Sequence, residues 1–223
     1  MTFSRPFLIV TALFVTSLIT SNIIAVKLIS IAGLILPAAV IIFPVSYILG
    51  DVLTEVYGYR QARLVIWIGF ACNLLAVIAI LIAGALPAAV FWQDQSAFDA
   101  ILGLAPRILV ASFAAYLVGE FTNAYVLARM KVATQGRWLW TRTIGSTLIG
   151  QGLDSLVFIS IAFAGIIPPQ AMLAAIVTQW LFKSAYETLA TPITYWVVGY
   201  LKRVEGVDTF DYETRFQPFS LEV

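Results

Sequence analysis

The sequence predicts an all-α membrane protein, a bundle of six transmembrane helices. Three observations carry that reading. Of the 223 residues, 61% are hydrophobic and only 11% are charged, whereas a soluble domain carries about 25% charged residues. Mean hydropathy is +0.95. Uncharged runs at Pro6–Val26, Leu28–Gly50 and Leu64–Gln93 each suffice to cross roughly 30 Å of hydrocarbon. Barrel strands are only about 10 residues long and alternate in polarity, so these longer, uniformly apolar runs read as helices.

The spans fall at roughly 6–26, 34–57, 64–87, 106–130, 143–166 and 170–200. The first is no secretory signal, because it lacks a small-residue cleavage site and Ser21 and Asn22 lead into more apolar chain. The second could instead be a short re-entrant piece, Leu28–Leu36, followed by a helix from Pro37, in which Pro44 should produce a kink. Residues 1–203 form the membrane domain, and 204–223 a short cytoplasmic tail that could pack under the bundle.

Basic residues set the orientation. Arg5, Arg60, Arg63, Arg129, Lys131, Arg137, Arg142, Lys202, Arg203 and Arg215 fall on one side of the predicted membrane, against Lys27 and Arg107 on the other. Both termini are therefore expected in the cytoplasm, with the protein in the cell inner membrane. A repeat is also legible. "GDVLTEVYGYRQAR" begins at Gly50 and "GEFTNAYVLARMK" at Gly119, and Glu187 lies 67 residues beyond Glu120. A period near 68 would mean three helical hairpins in tandem.

Several function classes are excluded. A net charge of +1 argues against nucleic acid as a partner. Cys72 is the single cysteine, and there is no histidine, so the usual zinc sites and Ser-His-Asp triads are absent. No cofactor or metal is expected. An intramembrane enzyme would need Asp51 and Asp154 to share a site, or Ser155 to act with Lys183; the predicted depths disfavour the first, and the chain is read as not an enzyme.

What remains is polarity in the wrong solvent. Of twelve carboxylates, Asp51, Glu55, Glu120, Asp154 and Glu187 lie within or at the ends of spans. Each would cost about 2.5–3.5 kcal/mol at a helix centre facing lipid. Three such groups would cost on the order of 8–10 kcal/mol, comparable to a whole domain's stability. They must face inward.

Helical spacing gathers their neighbours. Gln151 shares a face with Asp154, Asn123 with Glu120, and Lys183 with Glu187. Gly145, Ser146, Gly150 and Gly152 permit a close helix approach on span five, which could serve a dimer as well as a cavity. Aromatic residues lie within a turn or two, at Phe121, Tyr125, Phe158, Trp180, Tyr186 and Tyr195. Asp154, Glu120, Glu187, Gln151, Asn123 and Lys183 are the candidate substrate-binding residues, with Asp51, Glu55, Tyr186, Trp180 and Tyr125 secondary. For Asp51 and Glu55, capping or an ion pair beside Arg60 is the competing reading; for Lys183 and Glu187, it is an i,i+4 ion pair. Carboxylates that accept N–H groups, amides that donate and accept, and rings that stack suit a flat polar heterocycle or another amine-bearing solute.

Four motifs in order, "FPVSYILGDVLTEVYGYR" (43–60), "GEFTNAYVLARMK" (119–131), "RTIGSTLIGQGLDSLVFISIAFAG" (142–165) and "KSAYETLATPITYWVVGYLKRVEGVDTFD" (183–211), resemble the queuosine precursor transporter family, also called the vitamin uptake transporter family. The resemblance implies a six-helix inner-membrane protein that imports a 7-deazaguanine precursor of queuosine, with small-molecule substrate and membrane lipid as its partners. The matching positions are Asp51, Glu55, Glu120, Asn123, Gln151, Asp154, Lys183 and Glu187. It also implies that the base's N–H groups meet a carboxylate, with Gln151 or Asn123 near its carbonyl. A substrate-binding subunit of an energy-coupling-factor importer, likewise small and six-helical, is the alternative.

Overall fold

Helices account for most of the chain. The computed structural model describes residues 4–31, 34–103, 106–166 and 168–219. Seven helices are described: α1 (Arg5–Ile24), α2 (Phe43–Tyr57), α3 (Tyr59–Ala85), α4 (Gln95–Leu102), α5 (Pro106–Ala133), α6 (Leu139–Phe163) and α7 (Pro169–Glu205). Among the described residues, four are long and apolar enough to cross a membrane: α1, α3, α5 and α6. At 15 residues α2 is too short by that measure, and the 37-residue α7 is too polar.

The second predicted span is where expectation and structure part. Leu28–Ile31 (β1) and Leu34–Pro37 (β2) pair as an antiparallel hairpin, with Leu28 opposite Pro37 and Ile31 opposite Leu34. A short 3-10 turn, Ala38–Ile41, follows. Apolar run length had suggested a continuous helix, and branched residues support a strand equally well. Pro44 therefore occupies the first turn of α2, where its missing N–H costs nothing, and it makes no kink. The proline inside a helix is Pro192 in α7, which removes one helical hydrogen bond. Helix α4, in the segment between α3 and α5, was not anticipated.

Local chemistry explains the helix ends. Ser4 caps α1 by accepting from the Phe7 N–H at 3.2 Å. Gly58, with φ +84°, turns the chain between α2 and α3; only glycine adopts that conformation cheaply. Gly206 (φ +64°) closes α7 in the left-handed region.

One end of the molecule gathers the predicted basic side. Ser4 donates to Glu205 at 2.6 Å, joining the start of α1 to the end of α7. The tail then runs beneath the ends of α2, α3 and α5. The Thr209 N–H donates to the Val56 carbonyl at 3.1 Å, Asp211 accepts from the Tyr59 N–H at 3.0 Å, and Trp67 donates to the Pro218 carbonyl at 2.7 Å. Phe216 packs edge-on against Tyr59 and Tyr125. The apolar core above it is built mainly from α1, α2, α3 and α5, joined by Leu139 of α6 and Val198 and Leu201 of α7, with Phe14, Val52, Val56 and Val65 fully enclosed.

Candidate functional site

Close approach of α5 and α6 makes the site. A Cβ on Gly150 would lie 2.8 Å from the Asn123 Cβ and 3.1 Å from the Gly119 carbonyl; one on Gly119 would lie 2.9 Å from the Asp154 Cβ. The two backbones therefore touch with nothing between them. That contact brings Glu120 and Asn123 of α5 against Gln151 and Asp154 of α6. From α2 come Tyr47 and Asp51, and from α7 Lys183 and Glu187. Tyr47, Asp51, Glu120, Asn123 and Gln151 are each about 1% exposed, and Asp154 and Glu187 are 5%.

The bonds cross between helices. Asn123 donates to Asp51 at 2.7 Å. Lys183 donates to Asp154 at 2.5 Å, and its ammonium lies 4.3 Å from the centre of the Phe43 ring. Gln151 donates to Glu187 over a long 3.4 Å. Glu120 lies against Gly50, where a Cβ would be 3.1 Å from its Oε2. The Lys183–Glu187 ion pair, the competing reading of that spacing, gives way to Lys183–Asp154, and the ammonium is engaged by a carboxylate rather than by Ser155.

What this cluster lacks is enough partners. Among the described residues, eight buried polar atoms in it have no hydrogen-bond partner: Tyr47 Oη, Glu120 Oε1, Asn123 Oδ1, Thr147 Oγ1, Gln151 Oε1, Ser155 Oγ, Ser184 Oγ and Glu187 Oε1. An orphaned buried polar group costs about 1–3 kcal/mol, so water or a polar solute would complete the cluster. Four of the eight are carbonyl or carboxylate acceptors, which N–H or O–H donors would satisfy.

Glu55, one turn beyond Asp51, belongs to a different structure. Its carboxylate accepts from Arg142 Nε at 2.7 Å and Nη2 at 2.8 Å and from Lys202 at 2.6 Å. Lys131 lies 3.6 Å away and also pairs with Asp208, as does Lys202 at 2.8 Å. The pair expected with Arg60 is replaced by this network, which ties α2, α5, α6, α7 and the tail together. Burial raises the Asp208 carboxyl, but the two ammoniums outweigh it and hold the group below the usual carboxylate range.

The aromatic candidates lie elsewhere. Tyr125 is 41% exposed and packs on Phe216. Tyr186 is 37% exposed. Trp180 donates to the Leu148 carbonyl at 2.8 Å and covers Gly152. The rings that do reach the polar cluster are Phe43 and Tyr47, which sequence reasoning passed over. They stand two turns and one turn before Asp51 respectively, so helical spacing places them on its face.

These geometries sit inside a stretch with known relatives. The family model described as "Putative vitamin uptake transporter" matches residues 37–197, most of the chain and every member of the cluster. The chain belongs to the vitamin uptake transporter family. It is thus one of a family of membrane transporters rather than of enzymes. Among curated proteins, it is 29% identical over 180 residues to a "Probable queuosine precursor transporter" of Bacillus subtilis, covering 79% of this chain and 78% of that protein. It is 31% identical over 153 residues to the "Queuosine precursor transporter" of Escherichia coli, covering 68% of this chain and 66% of that one. No solved structure matches this member of the vitamin uptake transporter family.

Proposed function

We propose that this protein carries a 7-deazaguanine precursor of queuosine across the cell inner membrane, with the buried cluster between α2, α5, α6 and α7 as its binding site. The observation that carries the reading is the set of unpartnered acceptors. A deazaguanine base presents its N1–H and exocyclic amine side by side, and Glu120 and Glu187 each hold an oxygen that accepts no hydrogen bond among the described residues, with the Thr147 hydroxyl beside Glu187. The amides of Asn123 and Gln151 each donate one N–H, to Asp51 and to Glu187, and keep a second. The base carbonyl is met by one of these, by the Tyr47 hydroxyl or by the Lys183 ammonium, and Phe43 offers a face for the ring. Asp154 orients Lys183.

Six spans follow when α2, with the turn before it, and α7 are added to the four apolar helices. The end that gathers Arg63, Lys131, Arg142 and Lys202 then faces the cytoplasm, and with it both ends of the described chain. The names of the relatives supply the cargo class, and the chemistry of the cluster suits it. The small residues of α6 are taken up within the chain, by Asn123, Met130 and Trp180.

A binding titration of deazaguanine bases on the purified protein and on Glu120→Gln, Asp154→Asn and Glu187→Gln tests the site. Each variant should lose affinity at least tenfold, about 1.4 kcal/mol. If all three bind like the parent, the site lies elsewhere. Uptake by liposomes containing this chain alone tests the transport step; no uptake without an added energising module points to an importer subunit instead.

A further inference from the structure

Beyond the cargo site, the tail and the start of α3 border an open cleft of about 600 Å³, lined by Arg60, Arg63, Phe210, Tyr212, Glu213, Thr214 and Arg215. Of these described residues, three are arginines and one is an acid. Arg63 is buried and donates to the Gln217 carbonyl at 2.9 Å, which fixes the inner wall. Arg60 and Arg215 are exposed at its rim. Guanidinium forks match phosphate oxygens bidentately.

Position decides which phosphate. Arg60 begins an exposed stripe on α3 that continues through the half-buried Leu64 to Ile68, Ala71 and Leu75, the i, i+4, i+8 spacing of one helix face. In a membrane-crossing helix that face meets acyl chains, which puts Arg60 at headgroup level. Tyr212 is 67% exposed and stacks on Phe210 with ring centres 5.6 Å apart. An outward tyrosine at this depth is the residue of a membrane interface. We propose that the cleft binds the phosphate headgroup of an anionic phospholipid, with the acyl chains lying along the Leu64–Ile68–Leu75 stripe. The lipid joins the tail to α3 by bridging Arg215 and Arg60.

Native mass spectrometry of the purified protein, titrated with phosphatidylglycerol or phosphatidylcholine, tests the proposal. The parent should retain phosphatidylglycerol preferentially, and Arg60→Gln with Arg215→Gln should weaken that retention on the order of tenfold. Arg63 is left intact because it also holds the tail. Equal retention of the two lipids by the parent overturns the proposal without recourse to any variant. So does undiminished phosphatidylglycerol retention by the double variant. Displacement of phosphatidylglycerol by millimolar inorganic phosphate makes the cleft a soluble-anion site and overturns the lipid assignment. None of these readouts involves the cargo, so failure here leaves the proposed function untouched.

Discussion

Glutamine in place of Glu55 is the substitution whose cost the structure defines best. Glu55 is fully buried and is the only acid that meets Arg142 in the described contacts. Breaking a buried pair by removing one partner costs about 3–5 kcal/mol, because the other charge is left in a dry interior. Two of the three cations around Glu55 keep a second acid, since Asp208 pairs with Lys131 and Lys202. The stranded group is Arg142, 1% exposed, which retains one bond to the Arg137 carbonyl at 2.7 Å. The lower end of the range therefore applies, about 3 kcal/mol. For a chain of this size that lowers the melting temperature by roughly 6–12 °C. Thermal unfolding in detergent, followed by tryptophan fluorescence, measures it, with the exposed Glu213→Gln as control. Replacing both partners, Glu55→Gln with Arg142→Met, should recover more than half of the loss, because no orphan charge remains. A Glu55→Gln melt within two degrees of the parent would refute the assignment of Glu55 to a stabilising network. Unchanged stability with abolished base binding would return Glu55 to the cargo site.

Three further outcomes follow from the geometry. Gly150→Ala drives a methyl to 2.8 Å from the Asn123 Cβ and 3.1 Å from the Gly119 carbonyl; backbone cannot yield as a flexible side chain would, so stability should fall by about 1–3 kcal/mol, read as a lower melting temperature. Lys183→Met leaves Asp154 without its ammonium and should weaken base binding at least tenfold, about 1.4 kcal/mol, while Lys183→Arg retains more of it; equal loss in both would make the length of the side chain, not its charge, the requirement. Asp208 binds fewer protons folded than unfolded at pH values just below its ordinary pKa of about 3.9. Its stabilising contribution is thus complete at neutral pH and is lost only as pH falls through the lowered folded value. Hydrogen exchange at the Thr209 amide, which donates to Val56, should stay protected from neutrality down to about pH 4 and loosen below it.

Which of these features could be read from residues alone depended on the range of the interaction. The inward turning of Asp51, Glu120, Asp154 and Glu187 was legible, because the cost of a charge in hydrocarbon is set by the solvent and not by the partner. So was the gathering of Arg63, Lys131, Arg142 and Lys202 at one end. Partner identity was not. Glu55 finds Arg142, 87 positions away, in preference to Arg60 nearby, and Lys183 reaches across to Asp154 rather than along its own helix to Glu187. Sequence spacing exposes neighbours on one helix; it carries no information about which faces of two helices meet. The hairpin at Leu28–Pro37 escaped for another reason. A short apolar run satisfies strand and helix alike, and only its backbone partner decides. Phe43 and Tyr47 were overlooked because attention followed charge, although their spacing from Asp51 was plain.

The tail beneath α2, α3 and α5 has a consequence for biogenesis. Asp208 and Asp211 are translated well after the helices they clasp, so Lys131 must wait for one of its acids, and the Tyr59 amide for its cap, until most of the chain has left the ribosome. Final locking of the earliest helices is then a late event. Cutting the chain at Gly206 removes that lock while sparing the four described helices that are long and apolar enough to cross a membrane, which makes it a means of separating insertion from maturation.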